Sequence, residues 1–140
     1  MFRHPLLRLT VALAVLFGAL SATGCRKKAP SAGNTGTVGD ITVKLDTDPS
    51  PAHVGHDTIL RFTLTNAQGP VSGANIRVDT RYLNMHKDGP TDLTATERGA
   101  GVYEAPDVST GMAGRWEATA TITPPGGSPG EVTLGFKVAK

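Results

Sequence analysis

The stretch from residue 99 to residue 122, GAGVYEAPDVSTGMAGRWEATATI, constrains the fold more than any other part of the chain. Its second half alternates. Trp116, Ala118, Ala120 and Ile122 fall on one side, and Glu117, Thr119 and Thr121 on the other. A period of two is the mark of a strand with one buried face. A large ring followed by small alanines places Trp116 in a wide part of a core, with the alanines letting a second layer approach.

The same period recurs along the chain. Ile41, Val43 and Leu45 alternate with Thr42, Lys44 and Asp46, and Leu60, Phe62 and Leu64 with Arg61, Thr63 and Thr65. Ile76 and Val78 point inward from a strand expected over residues 71–81, and short strands follow at 93–97 and 102–105. Val132, Leu134, Phe136 and Val138 make the last strand. Between them lie turn-forming clusters: Pro49 and Pro51, the segment 66–70 (NAQGP), Asp88-Gly89-Pro90, and the 124–130 loop PPGGSPG. The piece 82–90, YLNMHKDGP, is the least regular. Tyr103 and Val102 face opposite ways, and the Tyr103 hydroxyl is free to bond a turn backbone while its ring packs. No ten-residue window after residue 25 shows a helical apolar recurrence. The pattern predicts an all-β protein, an immunoglobulin-like β-sandwich of seven to eight short strands.

The beginning of the chain reads differently. Arg3, His4 and Arg8 form a basic start, residues 9–22 are almost wholly apolar, and Ala22-Thr23-Gly24 precedes Cys25, the single cysteine. A basic n-region, an apolar h-region and small residues at a cleavage point make an export signal over residues 1–24. The apolar run is short for a membrane span. The ending resembles the lipobox of bacterial lipoproteins, which implies cleavage before Cys25 and lipidation of its thiol. Arg26 follows, where an aspartate would retain such a protein at the inner membrane. That implies a cell-envelope protein anchored by lipid at the periplasmic face of the outer membrane. Residues 25–39 are then the lipidated cysteine and a flexible Gly/Ser/Thr/Pro-rich linker, with residues 40–140 as the domain. The triplet Arg26-Lys27-Lys28 either meets anionic headgroups or stays solvated beside the anchor.

Of the 14 Lys and Arg residues only Arg3 and Arg8 lie in the leader, and all 12 Asp and Glu lie beyond it. The remainder is therefore near neutral. This charge balance gives no footing for nucleic-acid binding. There is no G-x-S-x-G, no H-E-x-x-H and no glycine-rich phosphate loop, and the expectation is that the protein is not an enzyme. What chemistry remains belongs to methionine and histidine. Thioethers are soft ligands that select Cu(I), and imidazoles serve copper in either state. Met85 and His86 are adjacent in the irregular segment, and Met112 lies in the loop before Trp116. If both loops gather at one end of the sandwich, Met85, His86 and Met112 form a metal site. His53 and His56, three apart in another loop, form a second candidate. The competing readings are a core gap-filling Met112 and histidines that are ordinary loop residues.

Several of these residues together carry a family resemblance. Pro70-Val71-x-Gly73-Ala74-x-Ile76-x-Val78, then Met85-His86, then Gly101-Val102-Tyr103, then Gly111-Met112-Ala113-Gly114-Arg115-Trp116-Glu117 resemble the YtkA-like domain. The related FixH-like proteins share the Gly-x-Tyr and Gly-x-Trp elements. The resemblance covers roughly residues 39–140. It implies a small exported β-sandwich, in some members associated with copper handling or with assembly of haem–copper oxidases. A methionine-rich segment of that family is reduced here to Leu83-Asn84-Met85-His86-Lys87. Two functions follow as expectations. One is a lipid-anchored interaction or accessory module that touches an envelope protein complex. The other is a periplasmic copper-binding accessory protein.

Overall fold

The computed structural model describes residues 33–140, and the predicted leader, Cys25 and the first part of the linker lie outside the described residues. Among the described residues the chain is all β. Seven strands have seven to ten residues: β2 (Ile41–Asp48), β4 (Asp57–Asn66), β6 (Asn75–Tyr82), β8 (Leu93–Gly99), β9 (Val102–Ser109), β10 (Gly114–Thr123) and β11 (Gly130–Ala139). Four shorter ones are β1 (Thr35–Val38), β3 (Ala52–His53), β5 (Gly69–Pro70) and β7 (Lys87–Asp88). The long strands match the predicted number, and the short ones mostly trim their edges and turns.

The strands run in the order β1-β2-β4-β9-β8-β6-β10-β11-β3, with β5 beside β4 and β7 beside β6. β8 links two layers. Its residues Leu93 to Ala95 pair with β6, and its residues from Thr96 onward pair with β9. One inner face carries Ile41, Val43, Leu45, Leu60, Phe62, Leu64, Tyr103, Ala105 and Val108, and the other Ile76, Val78, Ala118, Ala120, Ile122, Val132 and Leu134; all belong to one core. Each fully buried Leu, Ile or Phe contributes about 1.5–3 kcal/mol relative to exposure, so the alternating strands hold the sandwich together.

Four local readings are corrected. Residues 35–38, read as linker, form β1, which pairs with β2 through a two-residue hairpin whose first central residue, Gly39, has φ 59°. Its TGTV sequence has one apolar side chain, Val38, which packs on the core, and so short a strand shows no periodicity. Gly36 is needed there, because a Cβ would stand 2.5 Å from Val132 Cγ2 on β11. The strand read as ending at Ala105 continues past Pro106 to Ser109. A register shift against β4 and a φ of 57° at Asp107 return Val108 to the core. The irregular segment 82–90 is largely a hairpin: Tyr82 completes β6, and β7 returns along it, with Tyr82 opposite Lys87 and Arg81 opposite Asp88. Residues 52–53, read as part of a loop, form β3, which runs parallel to the end of β11.

Candidate functional site

Beyond the main core lies a second, smaller cluster of Ala52, Tyr82, Trp116 and Val138, with Val54, Met112 and Phe136 packed against it. Its spine follows from strand register. Trp116 stands opposite Tyr82 on β6 and opposite Phe136 on β11. The rings follow one another, Tyr82 tilted at 47° to Trp116 with centroids 5.4 Å apart and Trp116 stacked on Phe136 at 6.1 Å. Aromatic pairs at such spacing add about 0.5–1.5 kcal/mol beyond their buried area. Trp116 is thus a core residue, as predicted, and it backs one end of the sandwich rather than its middle.

The polar tips of these rings hold the loops. The Trp116 indole N–H donates to the Met112 carbonyl at 3.0 Å, and the Tyr82 hydroxyl donates to the Ala113 carbonyl at 3.0 Å. The Leu83 N–H donates to the Arg115 carbonyl at 3.0 Å. The turn over residues 83–86 and the loop before β10 are therefore neighbours. Gly114 sits where they meet: a Cβ there would lie 3.0 Å from Tyr82 Cε2 and 3.3 Å from Asn84 Nδ2, and its φ of 140° is one that L side chains rarely adopt. Gly89 plays a similar part, since its Cβ would fall 2.5 Å from both Thr80 Oγ1 and Trp116 Cζ3.

The predicted metal residues sit on this frame unequally. Met85 is 67% exposed, and His86 beside it is exposed with φ 51°. Met112 is half-buried and packs on the cluster that holds Trp116. The Leu83–Arg115 bond sets the Met85 turn beside the start of β10, and part of the Met112 side chain, three residues before Arg115, is engaged in packing. His53 ends β3 and His56 lies on the turn that follows, with ring centroids 6.5 Å apart. That turn reaches the same loop region, because the Thr110 hydroxyl donates to the His53 carbonyl at 3.5 Å. Among the described residues no three His, Cys, Asp or Glu side chains gather as a metal cluster. Sequence reasoning did not single out Tyr82, whose hydroxyl holds the second loop. The signal was present, for Tyr82 continues the alternation of Ile76, Val78 and Thr80.

Ion pairs lie away from this end. Arg61 donates to Glu104 at 2.9 Å and faces Asp48 at 3.5 Å on the outer side of the β4–β9 layer. The Glu104 carboxylate, chiefly through that bond, raises the Arg61 pKa and keeps the guanidinium charged. Glu97 accepts the Gly73 N–H at 3.0 Å, and this bond, ahead of a Ser72 contact, holds its carboxyl below the ordinary range. The Arg115 side chain is exposed.

The sequence model of a family described as YtkA-like matches residues 36–121. No curated protein matches the chain significantly in sequence. Among solved structures, a copper-bound variant of FetP from uropathogenic Escherichia coli strain F11 aligns with TM-score 0.58 at 13% identity, covering 76% of this chain and 94% of that one. A copper-bound variant of Campylobacter jejuni P19 aligns with TM-score 0.56 at 12% identity, covering 78% and 98%. A DUF4426 family protein from Pseudomonas aeruginosa PAO1 aligns with TM-score 0.54 at 13% identity, covering 74% and 94%. At these identities the likeness establishes the shared sandwich fold.

Proposed function

This chain belongs to the YtkA-like family, and from that premise we propose that it is a non-enzymatic accessory protein of the cell envelope. It is tethered through a lipid on Cys25 at the periplasmic face of the outer membrane, and its working end is the loop region over Trp116. The ligand of that end is a copper ion, for which Met85, His86 and Met112 are the donors. The observation that supports this reading is the Leu83–Arg115 hydrogen bond, which holds the Met85–His86 turn beside Arg115 at the start of β10, three residues after Met112. The donor chemistry fits: two thioethers and an imidazole suit Cu(I), and Met85 and His86 are open to solvent. The sandwiches of FetP and P19, which share this fold, carry copper in their bound variants.

The test is competition for Cu(I) against a chromophoric chelator under reducing conditions. The parent protein withdraws copper from the chelator, and the Met85→Ala, His86→Ala, Met112→Ala triple variant does not. A parent protein that leaves the chelator fully loaded overturns the copper reading. The anchor is tested separately, by incorporation of labelled palmitate into the parent and its loss in Cys25→Ala. The second reading, docking to an envelope protein complex, is favoured by Met85 itself, the single large apolar side chain exposed among the described residues. Crosslinking from position 85 in intact cells tests it, and a monomer band alone counts against it.

A further inference from the structure

We propose that His53 and His56 form a second, independent site that chelates a borderline divalent transition-metal ion such as Zn(II). Three observations converge on the turn that joins β3 to β4. The first is its shape. Gly55 has φ 75°, and the His56 N–H donates back to the His53 carbonyl at 3.4 Å. Two imidazoles three residues apart therefore leave one tight turn, edge to face, with centroids 6.5 Å apart and planes at 81°.

The second is its anchorage. Ala52 and His53 pair with Val138 and Ala139, and the Val54 N–H donates to the Ala139 carbonyl at 3.0 Å. Ala52 is fully buried, and the buried Thr110 donates to the His53 carbonyl from another loop. The backbone under His53 is thus fixed by two separate elements, so little ordering remains to be done when an ion binds.

The third is the tautomer. His53 Nδ1 lies 3.2 Å from the backbone oxygen of Lys140. A carbonyl oxygen only accepts, so this contact assigns a proton to Nδ1, and in the neutral imidazole that leaves the lone pair on Nε2. Metal-binding histidines are typically held in this way, with the far ring nitrogen donating to a backbone carbonyl or carboxylate. With Zn–N bonds of about 2.0–2.1 Å and a ring centroid about 1.1 Å behind each nitrogen, two imidazoles sharing a tetrahedral ion have centroids about 5 Å apart. Closing the observed spacing needs a shift of about 1.5 Å, which rotation of the exposed His56 side chain supplies.

Two imidazoles without a thioether or thiol prefer borderline ions over Cu(I). Among the described residues no third His, Asp or Glu joins them, so water completes the coordination. The experiment is a Zn(II) titration of the full chain in detergent micelles, read through the imidazole nitrogens of the ¹⁵N-labelled protein. His53 Nε2 and one nitrogen of His56 move together and saturate at one ion per chain, while His86 stays in place. His56→Gln abolishes the shift of His53, and Met85→Ala with Met112→Ala leaves it intact. An unmoved His53 Nε2 at millimolar Zn(II), or an unchanged titration in His56→Gln, overturns the proposal. A shift confined to His86 overturns it as well.

Discussion

Replacing Tyr103 by Phe removes one oxygen atom and leaves the ring. The Tyr103 hydroxyl donates to the Val71 carbonyl at 2.8 Å and accepts the Ala74 N–H at 3.0 Å. It thereby ties β9 to the connection between β5 and β6, across about thirty residues of sequence. Tyr103 is 1% exposed and Val71 is buried, while Ala74 is half-buried. A buried polar group deprived of its partner costs about 1–3 kcal/mol. Val71 suffers the full loss, and Ala74 recovers part of its bond from water, so the expected total is about 2–4 kcal/mol. For a domain of this size that lowers Tm by about 10–20 °C. The ring stays, so no cavity term is added.

The assay is urea unfolding followed by the fluorescence of Trp116, the single tryptophan. A second readout comes from pH. Burial raises the Tyr103 pKa above its ordinary 10.0, opposed by the Ala74 N–H bond and assisted by the Glu97 charge. The folded state thus favours the protonated phenol. Its contribution is complete below pH 10 and is lost as pH rises through the folded value. The parent protein should lose stability along that alkaline limb more steeply than Tyr103→Phe. A variant within about 0.5 kcal/mol of the parent at neutral pH, with the same alkaline limb, refutes the reasoning.

Three further outcomes follow. Gly89→Ala drives a Cβ into Thr80 and the Trp116 ring, costing about 1–3 kcal/mol and shifting the backbone amides of residues 83–86 in an amide-correlation spectrum. Glu97→Gln flattens the acid limb of stability: hydrogen bonding lowers the carboxyl pKa in the folded state, so its contribution is present above the unfolded value and is lost as pH falls through the folded one, which urea titrations at pH 7 and pH 3 compare. Thr58→Val removes a fully buried hydroxyl with no hydrogen-bond partner and leaves stability unchanged or raises it by about 1 kcal/mol, read by calorimetry.

The strands that were legible are those in which alternation and burial coincide. Ile41 to Leu45, Leu60 to Leu64 and Trp116 to Ile122 bury every second residue, and that burial is the same physical term a sequence displays as period two. β1 and β3 were not legible, because a strand of four residues or two is too short to display a period of two, and each sends a single apolar side chain, Val38 or Ala52, toward the core. β9 past Ala105 was obscured by Pro106, which lacks the N–H a regular ladder needs, and the register shift resolves the conflict locally. Phe136 was expected inside with Val132 and Leu134, yet it is half-buried. It sits between the two apolar clusters and packs on both. For the candidate site, the residue types were legible and their meeting was not. The placement of the Met85 turn beside the start of β10 depends on backbone bonds such as Leu83 to Arg115, and backbone groups are the same for every residue.

That dependence means that a thinly furnished end of the molecule takes its order from the backbone and rings beneath it. Met85, His86 and Met112 include no buried charge and no fixed ligand cage, so any shared geometry must come from the frame beneath them. The frame is rigid because each ring of the Tyr82–Trp116 pair both packs and donates a hydrogen bond to the β9–β10 loop. The His53–His56 turn draws on a different support, the parallel pairing of β3 with the end of β11. A change that loosens the aromatic ladder should therefore disturb the methionine loops first, and one that frays the end of β11 should disturb the histidine turn first. The two proposed sites are separable by mutation even though the Thr110–His53 bond brings their supporting segments together.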